Sequence, residues 1–286
     1  MKFSIVVSLD STRFAAATFK GDFSDHIAQA AAMGYDGVEL AVRDPAGVDV
    51  ETLQRLLSQH GLRVVALGTG QAYVEEGLSF TAADADVRQA AVERIHHHIE
   101  LAAHLNAVVI IGLIRGMTTA GHNQSQAMAW FVQALQACTA VAYNKGVKLV
   151  LEPINRYETD LINTIDEGLT LLDEVGAPLQ TLGLLPDTFH MNIEEPSITE
   201  SMCRAAGSIF HFHVADSNRR YPGAGHLDFG RILSTLRDKV GYEGWVSAEI
   251  LPHPDPQTAA MRALTHLRGC LEGDPNLDKP EERNKK

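Results

Sequence analysis

Short, continuously apolar runs alternate along this chain with longer segments in which apolar residues recur every three or four positions. The short runs are Phe3–Ser8, Gly37–Ala41, Arg63–Gly68, Ala107–Leu113, Lys148–Glu152, Leu182–Pro186, Ile209–Val214 and Trp245–Ile250. They are rich in Val, Ile and Leu and bounded by Gly or polar residues, the pattern of strands covered on both faces. Helices are predicted between them. Ile27, Ala28 and Ala31 mark an inner face that Ser24 can N-cap and Gly34 ends. Leu53, Leu56 and Leu57 precede Gly61. Val87, Ala91, Ile95, Ile99 and Ala102 form a longer stripe, and Phe131, Leu135, Cys138 and Ala142 precede Gly146. Ile165, Leu169 and Leu172 precede Gly176, and Ile232, Leu233 and Leu236 precede Gly241. These spacings gather apolar groups on one helical face. Glycine at a helix end is the expected left-handed cap.

Eight strands alternating with helices predict an α/β fold, a single (β/α)8 TIM barrel with parallel strands and right-handed crossovers. A doubly wound open sheet is the alternative. Against it, no GxGxxG follows the first strand, and acidic and His residues recur at strand ends throughout the chain rather than at one switch point. Gly34-Tyr35-Asp36-Gly37-Val38 and Gly241-Tyr242-Glu243-Gly244-Trp245 read as one helix-to-strand turn used twice. The chain of 286 residues is long enough for two average domains or one such barrel. The barrel is expected over residues 1–272. Residues 273–286 carry almost no apolar side chain and read as a disordered or surface-laid tail.

Composition narrows the function. Hydrophobic residues at 45% suit a core-forming globular protein. Acidic residues outnumber basic ones, 36 to 24. That balance argues against nucleic acid or an anionic membrane as partner, since both need a basic field. Cys138, Cys203 and Cys270 show no CxxC spacing, so neither a disulfide framework nor a zinc ribbon is expected. No signal peptide is evident at Met1-Lys2-Phe3, and the run from Ala107 to Ile114 is too short for a membrane span. A cytoplasmic location is the expectation.

In a barrel, chemistry sits where strands end and βα loops begin. The last four predicted strands each carry a metal-compatible group there: Glu152, Asp187, His213 and Glu249. Successive members lie about one βα unit apart, so they should converge on one mouth. Three carboxylates and an imidazole favour Mn²⁺, Mg²⁺ or Co²⁺ over a thiolate zinc site. Any one alone would be an ordinary polar strand terminus. His211 and His213 point the same way along their strand, with His211 left to packing or support. His96, His97 and His98 diverge around a helix and read as a solvated face. The glycine-containing loops from Thr69 to Phe80 and Pro222-Gly223-Ala224-Gly225-His226 could form a lid and shape the pocket.

These residues also carry a resemblance. The stretches Leu151-Glu152-Pro153-Ile154-Asn155-Arg156-Tyr157-Glu158, Asp187-Thr188-Phe189-His190-Met191-Asn192 and His213-Val214-Ala215-Asp216-Ser217-Asn218-Arg219, with Glu249, resemble the ketose 3-epimerase branch of the xylose-isomerase-like sugar isomerase/epimerase superfamily. The similarity includes members acting on D-tagatose and on 5-keto-L-gluconate. The resemblance implies that Glu152 and Glu249 are both metal ligands and the acid/base pair. Asp187 and His213 would complete the metal shell. His190 and Arg219 would hold substrate oxygens, and Glu158 would contact the sugar near its carbonyl. The metal would be Mn²⁺, with Mg²⁺ or Co²⁺ possible, and the assembly a dimer or tetramer.

The implied reaction inverts the carbon next to a ketone through an enediolate. One carboxylate removes the C3 proton and the other returns one to the opposite face. Arg115, after the fourth strand, could hold a substrate carboxylate or be a surface or salt-bridging arginine. The first option tilts the expected substrate towards a keto-sugar acid of the 5-keto-L-gluconate or tagaturonate kind. Rival readings are an aldose–ketose isomerase such as hydroxypyruvate isomerase, an apurinic endonuclease and a sugar-binding barrel without chemistry.

Overall fold

The computed structural model describes residues 1–273 apart from Asp10, Asp22 and Leu179. In chain order the elements are β1 Lys2–Ser8, α1 Phe23–Met33, β2 Gly37–Ala41, α2 Val50–His60, β3 Arg63–Gly68, α3 Gly70–Glu76, α4 Ala85–Leu105 and β4 Val108–Ile111. Then come α5 Gln124–Lys145, β5 Leu149–Leu151, α6 Ile165–Val175, β6 Leu182–Leu184, α7 Thr188–Glu194, α8 Ile198–Arg204, β7 Phe212–Val214, α9 Phe229–Asp238, β8 Trp245–Ala248 and α10 Pro256–Glu272. All eight expected strands are present, several two or three residues shorter than their apolar runs.

The strands pair in parallel in the order β6-β5-β4-β3-β2-β1-β8-β7. Two bridges, Leu184 with Ile209 and Asp187 with His213, join the ends of that order. The fold is therefore the expected TIM barrel rather than an open doubly wound sheet. Outward strand residues such as Ile5, Val38, Leu67 and Val109 pack under the helices with Ile27, Ile95, Phe131 and Leu264. Inside the ring, Val65, Ala66, Ile110, Val150 and Leu185 pack with Phe210 and Trp245.

Two strand glycines make room for those large rings. A Cβ on Gly183 would lie 2.4 Å from the Phe210 ring, and one on Gly37 would lie 3.0 Å from Trp245. Side chains would have to shift at either place.

The expected glycine caps after α2, α5 and α6 are present at Gly61, Gly146 and Gly176. Both copies of the repeated turn lead from a positive-φ glycine, Gly34 or Gly241, into a strand.

Several expectations need correction. Ser24 lies inside α1 rather than capping it, because the helix already begins at Phe23. The stretch from Thr69 to Phe80 is not a plain loop but contains α3. His98 is fully buried, with its ring nitrogens facing the carbonyls of Val42 and Arg94, so the His96–His98 triplet is not a solvated face. The Pro222–His226 segment is tied down, since Asp216 accepts from the backbone N–H of Gly223 and Leu227. The expected polar tail, beyond Gly273, lies outside the described residues. Among the described residues, no helix is long and apolar enough to cross a membrane.

Candidate active site

The four strand-end residues meet. Glu152 follows β5, Asp187 caps α7 just beyond β6, His213 lies within β7 and Glu249 follows β8. One ligand atom from each lies within 4.8 Å of all the others, and all four residues are buried. His213 Nδ1 stands 3.6 Å from Glu152 Oε1 and 3.7 Å from Glu249 Oε2. Its other nitrogen, Nε2, is 2.9 Å from Glu39 Oε2. That bond fixes the ring, with Nε2–H donating to Glu39 and Nδ1 turned to the cluster.

The flanking side chains are ordered as firmly. Arg219 is paired through Nη1 with Asp187 Oδ2 at 3.0 Å and through Nη2 with Glu249, and its guanidinium lies 4.6 Å from the Phe189 ring centre. It stands at φ 61°, a left-handed conformation unusual for a non-glycine residue. Its loop is held by backbone bonds to Asp216 and Leu251.

His190, in the first turn of α7, receives a 2.7 Å bond at Nδ1 from the Asn155 amide. Asn155 also donates to Glu158 Oε1 at 2.8 Å and accepts from the Tyr157 N–H, which fixes its amide orientation. Its Nε2 faces Glu152 and Asp187 at 3.7 and 3.8 Å and lies 3.2 Å from Arg219 Nη1. Glu152, Glu158, His190, Arg219 and Glu249 all line a single cavity.

Residues 27–270 match the family described as a xylose isomerase-like TIM barrel. The chain belongs to that family. An L-ribulose 3-epimerase of Methylomonas sp. (strain DH-1) is 33% identical over 242 residues, covering 82% of this chain and 82% of its own. A 3-dehydro-D-guloside 4-epimerase of Escherichia coli (strain K12) is 34% identical over 142 residues, 48% of this chain and 52% of its own. A solved structure of a D-allulose 3-epimerase from Methylomonas sp. in complex with D-allulose matches with a TM-score of 0.79 at 27% identity. It covers 94% of this chain and 96% of that one. This xylose isomerase-like barrel is an isomerase-class enzyme.

The barrel's electrostatics test whether its cluster suits a cation. Two buried atoms at the centre, Glu152 Oε1 and His213 Nδ1, have no hydrogen-bond partner among the described residues. Burial pushes the Glu249 carboxyl up to about 8, against the pull of Arg219 and His213. Burial opposes a charge on His213, but Glu39 and the two cluster glutamates outweigh it and hold its pKa well above the ordinary imidazole value. Burial would raise Glu39 too, yet the two imidazoles beside it take its pKa far below the usual carboxylate range. Three crowded carboxylates and an imidazole, with unpartnered buried atoms among them, are what a shared divalent ion satisfies. The residues fit the metal that the family resemblance implies.

Arg115 falls elsewhere in this barrel. It is fully buried at the end of a single 3-10 turn, Leu113–Arg115. Its guanidinium donates to the carbonyls of Gly112, Ile111, Leu161, Ile162 and Glu152. It does not line the cavity, so it ties the backbone behind Glu152 and does not hold substrate. Burial lowers its pKa to about 10, with the Glu152 charge pulling the other way.

Three site residues escape a reading of strand ends. Glu39 lies in the middle of β2 and holds both His211, at 3.0 Å, and His213. The signal was present as a lone carboxylate inside the apolar run Gly37-Val38-Glu39-Leu40-Ala41, which requires a buried partner. Asn155 orients His190. Gly112 lets Glu152 approach, since a Cβ there would lie 3.0 Å from Glu152 Oε2.

Proposed function

We propose that this enzyme inverts C3, the carbon next to the ketone, of a neutral ketose. Glu152, Asp187, His213 and Glu249 would hold a divalent ion, Mn²⁺ before Mg²⁺ or Co²⁺. The observation that carries the reading is that Glu152 and Glu249 enter one buried cavity from β5 and β8, with His190 and Arg219 beside them. The bound cation supplies polarisation of the ketone, which acidifies the adjoining C–H.

Everything else falls to the chain. Inversion needs a proton removed from one face of C3 and another delivered to the opposite face, hence two groups. Glu152 and Glu249 come from strands three places apart around a ring of eight, so each can serve one face. One accepts the C3 proton at a carboxylate oxygen, and the other, protonated beforehand, donates its own. Which acts first depends on the configuration of the sugar. Arg219 donates to substrate oxygens as negative charge develops on them, and His190 contacts them beside it. Burial and the Arg219 charge keep the His190 pKa well below the ordinary imidazole value, so the ring is neutral. Glu158, held by Asn155, accepts from a hydroxyl near the carbonyl.

The walls favour a neutral sugar over the keto-sugar acid expected from Arg115. Beyond the cluster they include Val6, Phe14, Ala41, Ile110, Leu113 and Ile154, with Thr69 and Gln71 as uncharged polar members. The one described guanidinium on the lining, Arg219, is already paired with two carboxylates. Apart from the ion the cluster would hold, the described lining offers a substrate carboxylate no unpaired cation. The D-allulose bound by the Methylomonas relative supports the same choice.

The test is a panel in D₂O with Mn²⁺: D-fructose, D-tagatose, L-ribulose, 5-keto-L-gluconate, tagaturonate and a 3-dehydro-glycoside, followed by NMR. Deuterium at C3 of the neutral ketoses, with appearance of the epimer, is expected. Exchange at C1 would instead make the protein an aldose–ketose isomerase. Turnover of the keto acids alone would reverse the substrate assignment, and tight binding without exchange would leave a sugar-binding barrel.

A further inference from the structure

We infer that Gln71 selects the substrate by accepting a hydrogen bond at Oε1 from a hydroxyl beyond C3. This rests on the ketose 3-epimerase reading and adds a specificity determinant on the side of the cavity away from the ion cluster. Gln71 is the second residue of α3, directly after β3, and it lines the cavity while only 1% exposed. Its Nε2 donates to Ser8 Oγ at 2.6 Å, at the end of β1. With the amide turned that way, Oε1 is the free end. Oε1 is buried and has no hydrogen-bond partner among the described residues.

A buried acceptor in that state is costly, and the described walls beside it offer no free donor. Val6, Phe14, Ile110 and Leu113 are apolar, and the Thr69 hydroxyl donates to the Ile110 carbonyl at 2.7 Å. A bound polyol supplies the missing donor. Because Oε1 only accepts, it favours a hydroxyl and opposes a carboxylate, a second ketone or a bare methylene at the same place. Discrimination of this kind arises when a polar group built to meet a hydroxyl is left unpaired by an analogue that lacks it.

The experiment compares D-fructose with its 4-deoxy, 5-deoxy and 6-deoxy analogues on the Mn²⁺-loaded wild-type enzyme and on Gln71→Met. Wild type should lose about tenfold to a hundredfold in kcat/KM on one of the three analogues. Gln71→Met should lose a similar factor on D-fructose and no more on that analogue. Equal losses on all four sugars, or an unaltered D-fructose rate in the variant, would overturn the assignment. If Gln71→Met does not fold, the wild-type panel decides alone, because indifference to all three deletions excludes the bond. If wild type exchanges no C3 proton in any ketose, the reaction assigned above fails separately. Calorimetric affinities for the same four sugars then decide the role of Gln71 by the same pattern.

Discussion

The two halves of the barrel mouth are built on different principles. On the β5–β8 side, every strand end contributes a charged or titratable group to one cluster: Glu152, Asp187, His213 and Glu249. On the β1–β4 side the lining is Val6, Ala41, Gly68 and Ile110, with Gln71 the polar exception beside Thr69. Charge at one side can fix the reacting carbon, while shape and a single acceptor at the other meet the rest of the sugar. Glu39 joins the halves, because its strand belongs to the apolar side while its carboxylate holds His213.

The contrast can be broken hardest on the charged side. Glu152→Gln or Glu249→Gln should lower kcat by about a thousandfold or more, with circular dichroism and thermal midpoint little changed. Near-full epimerisation by both variants would remove the two-carboxylate scheme.

Arg115→Met tests a charge that lies outside the cavity. It strands five carbonyls, so it should destabilise the fold by about 3 kcal/mol or more. Denaturant titration reads that loss. The preference between neutral ketoses and keto acids should stay as it was, and a shift in that preference would return Arg115 to the substrate.

Glu39→Gln should weaken Mn²⁺ affinity about tenfold to a hundredfold, measured by calorimetry. Unaltered affinity would mean that His213 is oriented by something else.

Acidity gives the smallest effect. His213 and Glu249 both bind protons more tightly in the folded, metal-free chain than when unfolded. Their contribution to stability is thus present at low pH and lost as pH rises through their folded values, about 8 for Glu249. The metal-free midpoint should fall between pH 6 and 9. Mn²⁺ must displace those protons, so its affinity should climb over the same interval by up to about tenfold per pH unit for each proton displaced. A pH-independent affinity would contradict this.

Much of this architecture was legible in the chain. Doubly covered strands leave continuous apolar runs, so all eight strands could be located. Four of the site residues stood at strand ends, where a barrel displays its chemistry. The sequence misled where direction matters more than identity. Arg115 is a charge after a strand, but one 3-10 turn sends it inward to carbonyls. His98 shares a helix with exposed neighbours, yet its angular position buries it. Glu39 was overlooked because it sits mid-strand, where only its isolation among apolar residues marks it. The helices α7 and α8 are seven residues each, too short to repeat an apolar stripe.

The ring of strands has one thin seam. Between β6 and β7 the ladder shrinks to two bridges, and one of them joins Asp187 to His213. Two of the four clustered groups thus stand astride the gap, one on each bank. An ion gripped by both would act as a rivet across the weakest joint of the cylinder, so that the fastening of the wall and the readiness of the catalyst become a single event.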